Sequence, residues 1–355
     1  MVKLWRIFLS LVLIAPVVGC GIITPAPSPP NVTIEELLAY EEAAAGLSAE
    51  EVATLGSLEV VDDYPLYSMR FHGAYESGPS SVKAGSPQQK QQWGCSLFAA
   101  LGDSNNMLYG RNLDWRYSPA MLLFTDPPDG YASVTMVDLE YLGFGSGELR
   151  NLASMPLDER RPLLLAPFLP FDGMNEHGLV IGMAAVPASK LPHDPRLKTT
   201  GSLRVIREML DHARNVKEAV VLLQNNNIDF VGGPQLHYLI ADSTGSAVLV
   251  EFYQGELVII PAETSWHLAT NFLLSGADEF AAPKSSRYKK MSKRLRKTNG
   301  KIRKEDALRL LAKVAQAETP TQWSIVYQMS TGDISVVMGK SFDTVHSFHL
   351  DLASE

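Results

Sequence analysis

Trp93-Gly94-Cys95-Ser96-Leu97 is followed at short range by Tyr109-Gly110-Arg111-Asn112-Leu113-Asp114-Trp115, and the reading of these two runs decides the fold. A cysteine preceded by a glycine stands 16 residues before an arginine and 19 before an aspartate. A cut between Gly94 and Cys95 would make the cysteine an N-terminal residue with both a thiol and a free α-amine, a nucleophile carrying its own base. Gly94 has no side chain to hinder thiol attack on its carbonyl. Around the junction, Ser96 to Leu101 and Met107 to Arg111 are short apolar runs joined by the turn formers Gly102-Asp103-Ser104-Asn105, which predicts a β-hairpin. The pattern points to an enzyme that processes itself.

The chain has 355 residues and two cysteines, Cys20 and Cys95, whereas an exported chain held by disulfides normally carries a larger, even set. Met1 to Gly21 places Lys3 and Arg6 ahead of an apolar stretch from Ile7 to Val18 and closes on Val17-Val18-Gly19-Cys20. This resembles a bacterial lipoprotein signal, whose terminal cysteine is lipidated. The apolar run is about a dozen residues, short of the roughly 20 that a spanning helix needs. The expected location is therefore the cell envelope, with the protein held on the outer face of a membrane through lipid on Cys20. Cys95 is then left without an internal partner, a liability unless its thiol is used.

An apolar share of 46% supports a sizeable core, and a formal charge of -8 argues for solubility and against a nucleic-acid partner. One stretch runs against that balance. Lys284 to Lys304 includes Arg287, Lys289, Lys290, Lys293, Arg294, Arg296, Lys297, Lys301 and Arg303. It reads first as the solvated face of a helix and second as a face resting on anionic lipid.

Four segments are expected: a signal peptide at 1–20, a Pro-rich tether at 21–32, a pro-segment at 33–94 and a catalytic domain at 95–355. Within the tether, Pro25, Pro27, Pro29 and Pro30 predict an extended spacer of about 3 Å per residue. Thr33 with Glu36, and Ser48 with Glu51, stand at capping-box spacing and predict two short helices, followed by strands over Ser57 to Val61 and Leu66 to His72. Glu76 to Gln92 reads as an exposed loop leading into the junction. Beyond Cys95 the strand signals fall at Val134 to Leu139, in a hairpin over Phe171 to Val186 turning at Asn175-Glu176-His177-Gly178, and in a meander from His237 to Asn271. Helices are expected over Ser202 to Arg214, Val216 to Gln224, Ser286 to Lys297 and Glu305 to Gln316. Closing strands lie near Trp323 to Met329, Ile334 to Met338 and His346 to Leu350. That order indicates an α+β fold compatible with a four-layer αββα sandwich.

From Cys95 to about Phe342 these motifs resemble the N-terminal nucleophile hydrolases of the choloylglycine hydrolase and penicillin V acylase type, whose relatives include acid ceramidase-like amidases and isopenicillin N acyltransferases. The resemblance rests on Cys95 at its junction, Gly110-Arg111-Asn112-Leu113-Asp114-Trp115, Asp172-Gly173-Met174-Asn175-Glu176-His177-Gly178-Leu179, His237-Tyr238-Leu239-Ile240-Ala241-Asp242, Thr270-Asn271 and Ser285-Ser286-Arg287. It implies Cys95 as nucleophile after cleavage at Gly94, Arg111 beside its sulfur and Asp114 on its α-amine. It also implies Asn271 as oxyanion donor and Arg287 as a second active-site arginine. Two features depart from the family pattern. Met183-Ala184-Ala185-Val186 stands where a polar residue often occurs, so an oxyanion contact there falls to backbone N–H near Ala185. The separation of Asn271 from Arg287 is also shorter than in bile-salt hydrolases.

The chemistry holds together without the name. A thiol titrating near 8.5 and an α-amine near 8 exchange a proton at little cost, and a neighbouring arginine favours thiolate. The expected activity is cleavage of the linear amide of a small N-acylated molecule through a thioester, with acyl transfer to an amine as the alternative. A tethered binding lipoprotein with a vestigial site is a third reading. No cofactor and no metal are expected: His346 and His349 have no carboxylate or cysteine at ligand spacing. His237 reads as a core or edge histidine, and Gly143-Phe144-Gly145-Ser146-Gly147 as a loop.

Overall fold

The computed structural model describes residues 46–75, 94–145, 151–276, 285–317 and 320–354. Met1–Ala39 and Tyr40–Glu355 form two separate units, and the first lies outside the described residues. So do the expected signal, tether, Thr33 helix and junction loop.

Within Tyr40–Glu355, α1 (Ala49–Gly56) is closed by the expected capping box: Ser48 Oγ accepts from Glu51 N–H at 3.1 Å, and Ser48 N–H donates to Glu51 at 2.7 Å. Strands β1 (Glu59–Asp62), β2 (Leu66–Phe71), β3 (Gly94–Ala100), β4 (Leu108–Asp114), β5 (Ala120–Thr125) and β6 (Ser133–Asp138) follow. After 3-10 turns come β7 (Asp172–Asn175), β8 (Val180–Ala185), β9 (Lys198–Gly201), α2 (Arg204–His212), α3 (Val216–Gln224) and β10 (Asn226–Asp229). The meander is β11 (Leu236–Ala241), β12 (Ala247–Tyr253), β13 (Glu256–Pro261) and β14 (Trp266–Ala269). The chain closes with α4 (Ser286–Thr298), α5 (Lys304–Val314), β15 (Thr321–Gln328), β16 (Asp333–Met338) and β17 (His346–His349).

These strands build a nine-stranded sheet, ordered β1-β2-β5-β6-β7-β8-β11-β12-β13, and a six-stranded sheet, ordered β14-β3-β4-β15-β16-β17, with β9 and β10 pairing apart from both. Alternation along the strands creates the layers. Cys95, Leu97 and Ala99 of β3 face inward, into the core shared with Val180 and Ala184 of β8 and Leu239 of β11. Phe98 and Ala100 face outward, onto Met291 and Leu295 of α4 and Leu310 and Leu311 of α5. On the other sheet, Leu66 and Leu122 point into the shared core, while Tyr67, Met69, Met121 and Leu123 pack outward with Leu55 of α1. Helices thus cover both outer faces, α2 lying on β7 and β8, and the result is a four-layer αββα sandwich. The sheets approach closely at Gly182, where a Cβ would stand 2.6 Å from the Tyr109 hydroxyl and 2.9 Å from Leu97.

β5 was not expected from the sequence, and it sets the place of the segment before Cys95. β2 pairs with it in parallel, Leu66 opposite Ala120 through Phe71 opposite Thr125. Residues upstream of the junction therefore supply the edge of the larger sheet.

Candidate active site

The hairpin register explains the 16- and 19-residue spacing. β3 and β4 pair antiparallel with Gly94 opposite Asp114, Cys95 opposite Leu113 and Leu97 opposite Arg111. Arg111 is thus the diagonal neighbour of Cys95 on the inner face, within reach of a long side chain. Asp114 falls on the opposite face, at the strand end beside Gly94. β14 flanks β3 on its other side with Ala269 opposite Leu97, so two residues further on Asn271 comes level with Cys95.

Three of the expected residues bond to one another directly. Asn271 Oδ1 accepts the Cys95 N–H at 2.6 Å and the Arg287 Nη2 at 2.9 Å. Arg287 Nη1 donates to the Cys95 carbonyl and, at 3.1 Å, to Ser96 Oγ. The arginine is placed by the first turn of α4, whose N-cap Ser285 accepts from Tyr288 N–H and touches Thr270 Oγ1 at 3.3 Å. Asn271 Nδ2 donates at 2.8 Å to the carbonyl of Ala185, at the end of β8 in the facing sheet. Two donors on Oδ1 and one acceptor on Nδ2 fix the orientation of the carboxamide. Asn271 therefore turns its oxygen, not its NH2 group, toward Cys95, and Ala185 engages it through C=O rather than the expected N–H.

Arg111 is fully buried and held along one edge. Its Nη1 donates to the Phe171 carbonyl at 2.7 Å and forms an ion pair with Asp172. Asp172 also accepts from Tyr327 Oη at 2.5 Å and Trp323 Nε1 at 3.3 Å. Nε and Nη2 of Arg111 have no hydrogen-bond partner among the described residues. Burial pushes the Cys95 thiol up, and this outweighs the downward pull of Arg111 and Arg287; Asp114 adds to the rise. The sulfur is thus a protonated thiol beside a cation with one open edge.

Asp114 is clamped from the turn after α5 and from β15. Thr321 Oγ1 donates to Oδ1 at 2.6 Å and Gln316 Nε2 to Oδ2 at 2.7 Å, while Gln316 N–H donates to Thr321 Oγ1 at 3.0 Å. Burial still raises its pKa from 3.8 to about 6 against these donors and both arginines. The carboxylate presses on the junction: a Cβ on Gly94 would lie 3.0 Å from Asp114 Cβ and 1.9 Å from Gln316 Nε2.

Gln316, Thr321 and the anchoring role of Asp172 were not foreseen. The last had a signal, a carboxylate inside the apolar run Leu169-Pro170-Phe171-Asp172-Gly173-Met174. The first two had none, since Gln316 reads as a helix end and Thr321 as the approach to a strand. His237 is buried, with Nδ1 3.2 Å from Glu251, which in turn accepts from the backbone N–H groups of Leu274 and Ser275 and so ties down the chain just after Asn271. His346 meets Asp62 at 2.6 Å, and His349 meets Asp333 at 2.9 Å and its near neighbour Asp351 at 3.5 Å. No cluster of three or more His, Cys, Asp or Glu able to hold a metal occurs among the described residues.

Two solved structures share this architecture. A mutant of the conjugated bile acid hydrolase from Clostridium perfringens superposes with a TM-score of 0.50 at 16% identity, over 72% of this chain and 92% of that one. Penicillin V acylase from Agrobacterium tumefaciens gives 0.51 at 17% identity, over 69% and 83%. At such identities they establish the fold, that of the N-terminal nucleophile hydrolases. No curated protein matches the sequence. Residues 170–351, just over half of the chain, match the family described as acyl-coenzyme A:6-aminopenicillanic acid acyl-transferase, a span that includes Asp172, Ala185, Asn271 and Arg287. By that match the chain belongs to the acyl-coenzyme A:6-aminopenicillanic acid acyl-transferase family.

Proposed function

We propose that the protein is a self-processing cysteine amidohydrolase that cleaves the linear amide of a small N-acylated molecule. The observation that carries this reading is the convergence of Arg111, Asp114, Asn271 and Arg287 on the two residues flanking the Gly94–Cys95 bond. In maturation the thiol sulfur attacks the Gly94 carbonyl carbon, the C–N bond breaks, and the nitrogen leaves as the Cys95 α-amine. Water then hydrolyses the thioester, giving a Gly94 carboxylate and a free thiol.

In turnover the α-amine takes the thiol proton, helped by the positive field of Arg111 and Arg287. Asp114 stabilises the resulting ammonium, and Asn271 Oδ1, which holds this nitrogen as an amide in the uncut chain, continues to hold it. The thiolate attacks the substrate carbonyl. The second hydrogen of Asn271 Nδ2 and the open edge of Arg111 are the donors available to the oxyanion, and one such donor is typically worth about 3 kcal/mol. The ammonium protonates the departing amine, and water releases the acyl group as a carboxylate.

Acyl transfer is the second reading, favoured by the family's description. It differs only in that an amine, not water, attacks the thioester. Localisation belongs to the same proposal, an exported lipoprotein held by lipid on Cys20. Mass spectrometry of the purified protein should find a fragment starting at Cys95, and Cys95→Ala should remain uncut. The cut protein should hydrolyse N-acyl amides in a screen of acyl length against leaving amine, and added amines will show whether the acyl group is diverted. A Cys95→Ala protein that is still cut, or a cut protein inert toward every amide while its thiol alkylates as an ordinary cysteine, overturns the proposal.

A further inference from the structure

Twelve of the chain's 31 lysines and arginines fall between Ser285 and Val314, against two carboxylates, in a chain of net charge -8. The structure gathers six of them on one face. Lys290, Lys293, Arg294 and Lys297 of α4 recur at helical spacing, and Arg309 and Lys313 of α5 run beside them. The opposite faces of both helices are spent on the core, through Met291, Leu295, Leu310, Leu311 and Val314. Between the basic rows lies a cleft of about 400 Å³ floored by Leu310. The single carboxylate lining it, Asp306, is engaged by Arg294 at 3.2 Å and Arg309 at 2.5 Å. Lys289, Lys290, Lys293, Lys297, Arg309 and Lys313 are all exposed.

Like charges three and four residues apart weaken a helix. A face needed only for solubility would interleave carboxylates with its lysines, and the rest of this acidic chain has them in plenty. We propose that the α4–α5 face docks on an anionic phospholipid surface. This inference rests on the envelope location proposed above and not on the chemistry of Cys95. Charge complementarity selects a polyanion, and the lipoprotein-like start of the sequence selects a membrane over nucleic acid. The lining of the cleft also contains no aromatic side chain on which bases could stack. A consequence follows for the site. α4 brings Arg287 to Cys95 in its first turn, and Lys297 lies ten residues further along, about 15 Å at 1.5 Å per residue. Docking would hold the nucleophile close to the bilayer surface, where an amide with an apolar acyl chain is concentrated.

The test uses full-length protein with Cys20→Ser, which cannot be lipidated, in flotation with vesicles of phosphatidylcholine alone or with about 30 mol% phosphatidylglycerol. Binding is expected only to the anionic vesicles and should disappear near 1 M salt, where the Debye length is about 3 Å. Replacing Lys290, Lys293, Lys297, Arg309 and Lys313 with Gln should weaken it at least tenfold. A charge-matched control replacing Lys190, Arg196, Lys198, Lys217 and Lys340 with Gln should leave it nearly unchanged. Equal binding to both vesicle types overturns the proposal, as does equal loss in the two variants or a preference for a single-stranded oligonucleotide over the anionic vesicles. Amide hydrolysis in detergent, measured alongside, tests the Cys95 reading separately.

Discussion

Asp114 offers a test in which stability and function are expected to change in opposite directions. In the uncut chain its carboxyl is buried, and its pKa rises from 3.8 to about 6 despite the Thr321 and Gln316 donors. The folded chain holds this proton more tightly than the unfolded one. Its contribution to stability is therefore fully present below pH 3.8 and is lost as the pH climbs through 6. The whole interval corresponds to roughly 3 kcal/mol at 1.36 kcal/mol per pH unit. Asn at this position cannot ionise and keeps a similar shape, and the Gln316 amide can rotate to present its oxygen to the new NH2 group. In a Cys95→Ala background, which stays uncut, Asp114→Asn should therefore look better at pH 8 than at pH 4 by roughly 2–3 kcal/mol. Urea unfolding of the two proteins at the two pH values measures this. Taking the difference of differences cancels groups common to both, including Asp138, whose carboxyl is raised to about 7. Once the chain is cut, an ammonium stands beside Asp114 and the same substitution should abolish most turnover. An unchanged stability difference between pH 4 and pH 8, or a mature Asp114→Asn enzyme with wild-type kcat, would refute the reasoning.

Gly94→Ala should slow the cut at least tenfold, because the new methyl group would meet Gln316 Nε2 at 1.9 Å and displace it from Asp114; the uncut fraction on a denaturing gel over time measures this. Arg111→Gln should raise the pH at which Cys95 of the mature enzyme alkylates, since it removes a cation that pulls the thiol down; an unshifted alkylation profile would take Arg111 out of the mechanism. Asp172→Asn should move the same profile in the same direction, more weakly, by freeing the edge of Arg111 that it anchors. After maturation the segment ending at Gly94 should stay on as a non-covalent second chain. Leu55, Leu66, Tyr67 and Met69 are buried in the sandwich, and β2 is paired with β5 over its whole length; a Cys95-started fragment eluting alone from native size exclusion would show otherwise.

Much of this fold was legible because its hairpins announce themselves. Short apolar runs separated by Gly102-Asp103-Ser104-Asn105 or Asn175-Glu176-His177-Gly178 pair locally, so composition alone locates β3 with β4 and β7 with β8. β5 escaped for the opposite reasons. Ala120-Met121-Leu122-Leu123-Phe124-Thr125 is nearly all apolar, has no alternation, and pairs in parallel with a strand some fifty residues earlier. A run buried on both faces has no period to read, and a parallel partner leaves no turn between the two strands. The strands of the segment before Cys95 were readable, but their place was not: pairing with β5 makes them the edge of the nine-stranded sheet.

The site divides along the same physical line. Cys95, Arg111 and Asp114 were readable because one hairpin register fixes all three, and a spacing in sequence becomes a spacing in space when the turn is short. Gln316 and Thr321 reach Asp114 from more than two hundred residues away, across a pairing of β4 with β15 that no local pattern encodes. Asn271 was found, but its orientation was not, because an amide's direction is set by what its neighbours donate and accept. Here two donors, Cys95 N–H and Arg287, converge on its oxygen. In the proposed mechanism that detail makes Asn271 the holder of the Cys95 nitrogen and leaves only its remaining hydrogen for the oxyanion. If so, Asn271→Asp, which keeps the acceptor but lacks the donors, should retain the cut and lose turnover. Asn271→Ala should lose both.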